Sequence, residues 1–309
     1  MTWSSLGAWV GVPGTRRARI VSGLNSGAIK GEAVEPGAVA FQPLSVSDLI
    51  DETFRIFRRN FLLFVGICAV LMVPVGLIAV FQQVAVQQHR SDLLFNIATS
   101  GLVELVRGVV YVGVLSATFH AFTEVRAGRN LTIGEAYNVG MERFPAMLWV
   151  GILYTIALAF VSITIIGIPF AIFLSVAWLF GLHATAFEGK SGRSALARSR
   201  ALVKGDWWRV LGITFLVSMV VAVVSLVFSI PGIALSLLVA FGRNDTSFRI
   251  ISTVVTTVAG TAGAIVTGPV VYIASVLLYF DLRARKEGFD LEIMANQAEA
   301  SARSASLQS

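Results

Sequence analysis

The chain carries at residues 146–187 the run AMLWVGILYTIALAFVSITIIGIPFAIFLSVAWLFGLHATAF, some 42 consecutive and mostly apolar positions. As a single helix this run would extend about 63 Å, at 1.5 Å per residue. That length is about twice the 30 Å hydrocarbon core of a membrane. Since glycine and proline interrupt helices, the chain is predicted to turn back at Ile166-Gly167-Ile168-Pro169. The run therefore predicts two membrane-spanning helices joined by a tight turn.

The composition of the whole chain agrees with a membrane protein. Hydrophobic residues make up 56%, above the roughly 45–50% of soluble domains, and the 14% of charged residues lie mostly between apolar runs. The single cysteine, Cys68, leaves no intrachain disulfide or cysteine-based metal site. A net charge of +6 could indicate nucleic-acid binding, but the excess of Lys and Arg lies between the spans, where membrane topology explains it. We therefore expect no nucleic-acid partner.

Six spans account for the apolar runs. The motif Ser229-Ile230-Pro231-Gly232 is predicted to end the fifth span and to leave residues 232–242 as an interfacial or re-entrant segment. A polar stretch from Gln82 to Asn96 separates the first two spans. The spans are predicted at residues 61–81, 105–124, 146–165, 169–187, 209–229 and 256–280.

The distribution of basic residues predicts the orientation of these spans. With the N-terminus inside, the inner segments hold twenty Lys and Arg, whereas the outer segments hold only Arg90, Arg243 and Arg249, with Arg107 set aside at the edge of the second span. Cytoplasmic loops carry such an excess of Lys and Arg. Both termini are therefore expected to be cytoplasmic.

A repeated unit predicts how the spans are grouped. A charged, helix-patterned segment precedes an apolar run with a Gly-Ile pair three times, at Phe64-Val65-Gly66-Ile67, Trp149-Val150-Gly151-Ile152 and Val210-Leu211-Gly212-Ile213. The predicted fold class is an all-α polytopic membrane protein, with about six transmembrane helices arranged as three repeated hairpins. Each hairpin is expected to follow a cytoplasmic-side amphipathic helix.

The three amphipathic segments are candidates for lipid or partner binding. The first, between Ser45 and Asn60, begins with the capping box Ser45-x-x-Asp48, and the second begins with Thr132-x-x-Glu135. The third is expected from about Ser194 to Trp208, with a basic polar face. Such helices lie in the inner interface with their cations among anionic headgroups, or else they only brace the following spans. The candidate interface residues are Arg55, Arg58, Arg59, Trp207, Trp208 and Arg209.

Ionisable residues in or near the spans are the second group of candidates, because such groups are costly in lipid unless they are paired or hydrated. Glu104 and Arg107, at i and i+3, could pair at the outer end of the second span. His120, His183 and Asp281 are placed at inner ends of spans, where an interfacial position is favoured over a functional one.

No pattern of catalytic or cofactor-binding residues is evident. The pair His120 and Glu124, at i and i+4, is the sole combination with metal-ligand spacing on one helical face, and a local hydrogen bond or salt bridge explains it better. A phosphate-binding glycine loop, a Gly-x-Ser-x-Gly elbow and a zinc-protease helix are all missing from the sequence. We expect no catalytic residue, no metal and no cofactor.

The two ends of the chain differ in composition from the middle. Residues 1–40 lack the apolar core of a signal peptide and, like the Ala/Ser-rich residues 295–309, are predicted to form disordered cytoplasmic tails. The membrane domain is expected at residues 41–294.

Three motifs carry a family resemblance over about residues 41–295. They are Pro43-Leu44-Ser45…Asp48…Phe54-Arg55…Arg58-Arg59-Asn60-Phe61, Lys204-Gly205-Asp206-Trp207-Trp208-Arg209, and Tyr279-Phe280-Asp281-Leu282-Arg283…Arg285-Lys286-Glu287-Gly288-Phe289-Asp290-Leu291-Glu292. With them the chain resembles the bacterial glycerophosphoryl diester phosphodiesterase membrane-domain family, especially its stand-alone actinobacterial members. The resemblance implies a multi-pass protein of the bacterial cytoplasmic membrane. Fewer than thirty residues follow the sixth span, so the catalytic barrel that does the hydrolysis in the phosphodiesterases is expected to be absent.

Two functions remain open. The first is a non-enzymatic scaffold or accessory, regulatory subunit that binds anionic lipid, a membrane protein partner or a second copy of the chain at the inner leaflet. The alternative is a small transporter or lipid-translocating protein with a polar path between the hairpins. The scarcity of polar residues in the middle of the spans favours the first function.

Overall fold

The computed structural model of the protein describes residues 44–89, 91–242 and 245–307, and the side chains up to Gly288. The N-terminal tail predicted at residues 1–40 lies outside this range. Ten helices form the described part: α1 (Val46–Arg59), α2 (Phe61–Gln88), α3 (Leu93–Arg126), α4 (Ile133–Gly140), α5 (Phe144–Ser162), α6 (Gly167–Ala177), α7 (Gly181–Glu188), α8 (Gly192–Val203), α9 (Trp207–Ala240) and α10 (Thr246–Leu307).

Six helical segments are long and apolar enough to cross a membrane, which confirms the predicted number. They are α2, α3, α5, α6 continued by α7, α9, and α10 as far as Gly288. Half or fewer of the residues in the most apolar stretch of each span are buried inside the protein, except in the sixth, where 67% are buried. The sixth span is therefore the central helix, and the other spans leave apolar surface for lipid.

The turn inside the long apolar run lies where the sequence predicts it. Helix α5 ends at Ser162 and α6 begins at Gly167, whose N–H donates to the Thr164 hydroxyl at 3.0 Å. A Cβ on Gly167 would lie 1.7 Å from the carbonyl oxygen of Val161. Only glycine therefore allows this turn to close.

The fourth span contains a break that the sequence did not predict. Between α6 and α7, the hydroxyl of Ser199 in α8 accepts from the Phe180 N–H at 3.0 Å and donates to the Ala177 carbonyl at 2.9 Å. Ser199 is fully buried. The Ser199 hydroxyl thus forms hydrogen bonds with an N–H and a carbonyl that the break between α6 and α7 would leave unpaired.

Besides α9, three spans are longer than predicted, and in two of them the reason is a helix cap that lies further out than the apolar run. Helix α2 extends to Gln88, through residues expected to be a polar loop. Asp92 caps α3 by accepting from the Phe95 N–H at 2.9 Å, so α3 begins at Leu93 rather than near residue 105. Asp245 accepts from the Phe248 N–H at 3.0 Å, and α10 begins at Thr246 rather than near residue 256.

The fifth span continues through Pro231, and the predicted end near Ser229 is wrong. Helix α9 runs unbroken from Trp207 to Ala240, so residues 232–242 do not form a separate re-entrant segment. Proline removes one backbone hydrogen bond, which a membrane helix tolerates when a neighbouring helix packs closely. Gly232 provides that packing, since a Cβ there would lie 2.7 Å from Thr256 Oγ1 of α10.

The third predicted interfacial segment also differs from the structure. Helix α8 ends at Val203, and Gly205 then adopts a φ of 95°, which breaks the helix. Trp207 and Trp208 consequently begin the membrane helix α9 instead of ending the interfacial helix. The capping boxes predicted at the start of α1 and α4 are both present.

The C-terminal part of α10 corrects a further expectation. The helix continues to Leu307, so residues 295–307 are helical where a disordered tail was expected. Gly288 lies inside this helix and does not end it.

Helix α1 packs against protein instead of lying with its apolar side in the lipid. Leu49, Ile56 and Phe57 on its apolar face are buried in the main core, beside residues of α10 such as Leu282. The packing places α1 at the end of the bundle where α3 and α7 end and α9 begins. We call this the α1 end.

Candidate functional site

A buried carboxylate ties the start of α1 to two membrane helices. The side chain of Asp281 in α10 is fully buried and accepts from the Leu44 N–H at 2.8 Å. Arg209 Nη1, from α9, donates to Asp281 Oδ2 at 2.5 Å, and Arg285 Nε donates to both carboxylate oxygens at 3.1 Å. These four residues are the Asp281 network.

Both arginines of the Asp281 network make a second contact to the same peptide group. Arg209 Nη2 donates to the Leu44 carbonyl at 3.0 Å and Arg285 Nη2 donates to it at 2.8 Å. An ionised carboxylate is stable in a buried position only with such charged, hydrogen-bonded partners. Asp281 and Arg209, two of the sequence candidates, are therefore brought together and hold the segment before α1 in place.

A second network joins α7, α8 and α10 at the same end. Glu188 accepts from the Tyr279 hydroxyl at 2.6 Å and from Arg198 Nε, which lies 2.9 Å from both carboxylate oxygens. Arg198 Nη2 also donates to Glu287, and Glu287 accepts from Arg283 Nε at 2.6 Å. These five residues are the Glu188 network. The partners of Glu188 lie 10 and 91 positions away in the sequence, too far for a local pattern to indicate them.

The charge balance of the Glu188 network stabilises the guanidinium of Arg198. Partial burial by itself lowers the pKa of Arg198, but the hydrogen bonds and charges of Glu188 and Glu287 outweigh it, so the pKa of Arg198 is raised. The arrangement is a structural connection between α8 and α10.

The basic surface of α1 consists of Arg55, Arg58 and Arg59, which are all exposed. Arg55 pairs with Glu52, which also accepts from Arg126 Nη1 of α3 at 3.1 Å. Arg58 and Arg59, in the last turn of α1, have no ion-pair partner among the residues that the structure describes. The surface therefore offers at least two cations that are available to an anionic group.

The two tryptophans at the start of α9 have different environments. Trp207 stacks on Phe173 of α6, with ring centroids 5.8 Å apart, and its indole N–H donates to the Phe173 carbonyl at 3.3 Å. Trp208 is 78% exposed and meets Trp207 edge to face. An exposed tryptophan at the end of a span is typical of an anchor at the membrane interface.

A cavity of about 450 Å³ lies between α6 and α8 beside Trp207's partner Phe173. Its walls are apolar and aromatic, apart from one guanidinium. The residues that define it are Phe170, Phe173, Leu174, Trp178 and Arg200, and we call it the Arg200 cavity. Arg200 was not singled out from the sequence, although the basic polar face of the third segment was the signal that includes it.

The two histidine candidates are core residues. His183 is 4% exposed, its Nε2 lies 3.0 Å from Ser275 Oγ, and its ring packs between aromatic rings including Phe119 and Tyr279. His120 is 7% exposed. Both are therefore buried within the protein, and no group of three or more potential metal ligands occurs among the described residues.

Glu104 and Arg107 form the predicted ion pair, at 3.0 Å, and both side chains are exposed. Since α3 begins at Leu93, the pair lies well inside the helix and not at its outer end. Arg107 also lines a separate cavity between α2, α3 and α10.

Comparisons with known proteins identify one similarity. The family described as membrane domain of glycerophosphoryl diester phosphodiesterase matches residues 143–302, just over half of the chain. The motifs at residues 204–209 and 279–292 lie inside the matched range, and the motif at residues 43–61 lies outside it. No curated protein and no solved structure matches the chain.

Proposed function

Because this multi-pass integral membrane protein belongs to the membrane-domain family of glycerophosphoryl diester phosphodiesterases, we propose that it is a non-enzymatic scaffold or accessory subunit. It binds anionic lipid headgroups, and through them or beside them a partner protein, at the cytoplasmic leaflet. Its α1 end faces the cytoplasm in this proposal, as the distribution of Lys and Arg predicts.

The observation that carries the proposal is the exposed basic surface of α1 on a helix that is held rigidly. Arg58 and Arg59 extend from α1 without described ion-pair partners, while the Asp281 network fixes the residue before the helix. Three cations on a rigid helix lose less conformational entropy on binding than the same cations on a flexible tail. Each basic residue near an anionic membrane surface contributes about 1 kcal/mol.

The Arg200 cavity supports a lipid as the ligand at this end. One exposed guanidinium above apolar and aromatic walls matches the phosphate and the upper acyl chain of a phospholipid. Its volume of about 450 Å³ is within the range of small-molecule sites. Trp208 beside it would lie among the headgroups.

The test is the retention of lipids and proteins by the chain after gentle detergent extraction from native membranes. Mass spectrometry of both compares the wild type with the triple variant Arg55→Glu, Arg58→Glu and Arg59→Glu. We expect the variant to retain the anionic lipid or partner about a hundredfold more weakly, since about 1 kcal/mol for each of the three reversed cations adds up to about 3 kcal/mol.

The control is a matched pair of single charge reversals. Arg59→Glu removes a cation of the α1 surface, whereas Arg249→Glu makes the same change at the opposite end of the bundle. Arg249→Glu should retain the wild-type lipids and partners, and all variants should insert and elute as the wild type does. Equal retention by the wild type and the triple variant would contradict the proposal.

The transport alternative rests on the pair Glu104 and Arg107 beside its cavity. It requires that Glu104→Gln or Arg107→Gln abolish a flux in reconstituted vesicles. A protein extracted without a partner and without anionic lipid, but with one solute, would favour this alternative over the scaffold.

A further inference from the structure

A cavity of about 430 Å³ lies between α2, α3 and α10, in the half of the bundle opposite to α1. Apolar side chains from all three helices make up most of its wall, and polar groups including a guanidinium complete it. Its wall residues include Met72, Val75, Gln83, Arg107, Thr257 and Ala264. We call this cavity the Arg107 cavity. Its volume is that of sites which bind amphiphilic small molecules.

Arg107 is a wall residue of the Arg107 cavity, and its ion-pair partner Glu104 lies three residues earlier in α3, so that the two side chains together carry no net charge. Arg107 Nη1 donates to Glu104 Oε1 at 3.0 Å, and this is the one contact that the structure describes for the guanidinium. A guanidinium has five N–H donors, so others stay available to an acceptor. The carboxylate of Glu104 is 67% exposed and can accept further hydrogen bonds.

This charge arrangement selects the headgroup. A phosphate bound to Arg107 would lie close to Glu104, whose negative charge disfavours an anionic group with no cation of its own. A zwitterionic headgroup avoids this cost, because its phosphate contacts Arg107 while its ammonium contacts Glu104.

The depth of the cavity agrees with a headgroup position. Arg107 lies about 19 residues before Arg126, the last residue of α3, which corresponds to about 28 Å along the helix. Thr261, also in the cavity wall, lies about 20 residues before Asp281, or about 30 Å along α10. If the hydrocarbon core begins near the Asp281 network, the cavity lies at its other boundary, about 30 Å away.

We propose that the Arg107 cavity binds a zwitterionic phospholipid of the phosphatidylethanolamine type. Its phosphate binds Arg107, its ammonium binds Glu104, and its glycerol and upper acyl chain pack on Met72, Val75 and Ala264. This site is independent of the anionic-lipid interface at the α1 end, and either one can exist without the other.

The sharpest test fills the cavity without disturbing the bundle. Gly260 is a wall residue of the cavity, and a Cβ built on it meets no atom within 4 Å. Gly108 in α3 is exposed, is not a wall residue, and also has open space around a Cβ. Gly260→Leu therefore occupies the cavity, and Gly108→Leu is its matched control with the same added side chain in a membrane helix.

The assay is native mass spectrometry of the full chain in detergent, titrated separately with phosphatidylethanolamine, phosphatidylglycerol and soluble phosphoethanolamine. We expect the wild type and Gly108→Leu to bind phosphatidylethanolamine more tightly than phosphatidylglycerol. Gly260→Leu and Arg107→Gln should weaken phosphatidylethanolamine about tenfold, the usual result of losing a charged hydrogen bond or its site. Glu104→Gln should abolish the preference between the two lipids.

Three results would overturn the proposal. Equal binding by the wild type and Gly260→Leu would show that the lipid binds elsewhere. A preference for phosphatidylglycerol, or one that survives Glu104→Gln, would remove the assigned role of the carboxylate. Phosphoethanolamine binding as tightly as the lipid would identify a soluble phosphate ester as the ligand in place of a phospholipid.

Discussion

Arg209 Nη1 lies 2.5 Å from Asp281 Oδ2, and this contact joins two membrane helices across 72 residues of sequence. The same carboxylate accepts from the Leu44 N–H. Arg209 and Asp281, which belong to separate sequence motifs, thereby help to fix the position of Leu44 and of the start of α1.

The Asp281 network should stabilise the fold. We expect Asp281→Asn to lower the free energy of unfolding by about 2–4 kcal/mol. This is somewhat less than the about 3–5 kcal/mol typical of a broken buried ion pair, because Arg209 and Arg285 are partly exposed. Thermal unfolding in detergent micelles measures the change. Asp51→Asn, at an exposed position of α1, should change it by less than about 0.5 kcal/mol.

A double substitution separates the pair from other effects of the amide. The double variant with Arg209→Met and Asp281→Asn should lose less free energy of unfolding than the two single variants lose together. Each single change leaves a charged or polar partner unpaired, whereas the double change removes both members of the pair. Additive costs would show that the two residues do not depend on each other.

The Glu188 network should contribute through the hydroxyl of Tyr279, which is fully buried. Tyr279→Phe keeps the ring and removes the 2.6 Å hydrogen bond to Glu188. We expect Tyr279→Phe to lower the free energy of unfolding by about 1.5–3 kcal/mol, the usual contribution of a hydrogen bond to a charged group. Tyr154→Phe removes a hydroxyl from a half-buried tyrosine of α5 and should have little effect on the same unfolding transition.

Two glycines of α9 should respond oppositely to the same substitution. Gly232→Ala places a Cβ 2.7 Å from Thr256 Oγ1 and 3.0 Å from its Cα, so α9 and α10 must separate, at a cost of about 1–3 kcal/mol. Gly212→Ala meets no atom within 4 Å and should be neutral or stabilising by up to about 1 kcal/mol. Comparable effects at both positions would argue against the close packing of α9 on α10 beyond Pro231.

The orientation of the bundle can be tested with single cysteines in a Cys68→Ala background. Ser91, between α2 and α3, and Asn130, between α3 and α4, are both exposed. With the α1 end in the cytoplasm, an impermeant maleimide added to intact cells should label Ser91→Cys but not Asn130→Cys. The reverse pattern would place the basic surface of α1 outside and exclude the proposed function.

The sequence predicted what depends on local pattern. Apolar runs fixed the number of spans, Gly167 fixed the turn between the third and fourth, and the capping boxes at Ser45 and Thr132 fixed the starts of α1 and α4. These features depend on interactions between residues within one or two helical turns, so a short segment of sequence is enough to predict them.

Helix ends and polar partners were predicted less well. Asp92 and Asp245 are helix caps that lie outside the apolar runs, so α3 and α10 begin earlier than the apolar runs predicted. The continuation of α9 through Pro231 had no local signal. It depends on Gly232 fitting against Thr256 in another helix.

By itself, then, the sequence determined that this chain is a six-span helical membrane protein with basic segments between its spans, because the hydrophobic effect acts on each segment separately. Only the tertiary structure decided which charges are structural and which are available. Asp281 and Arg209 neutralise each other while Arg58 and Arg59 stay exposed, because burial and ion pairing depend on residues that are distant in sequence and meet only in the folded bundle.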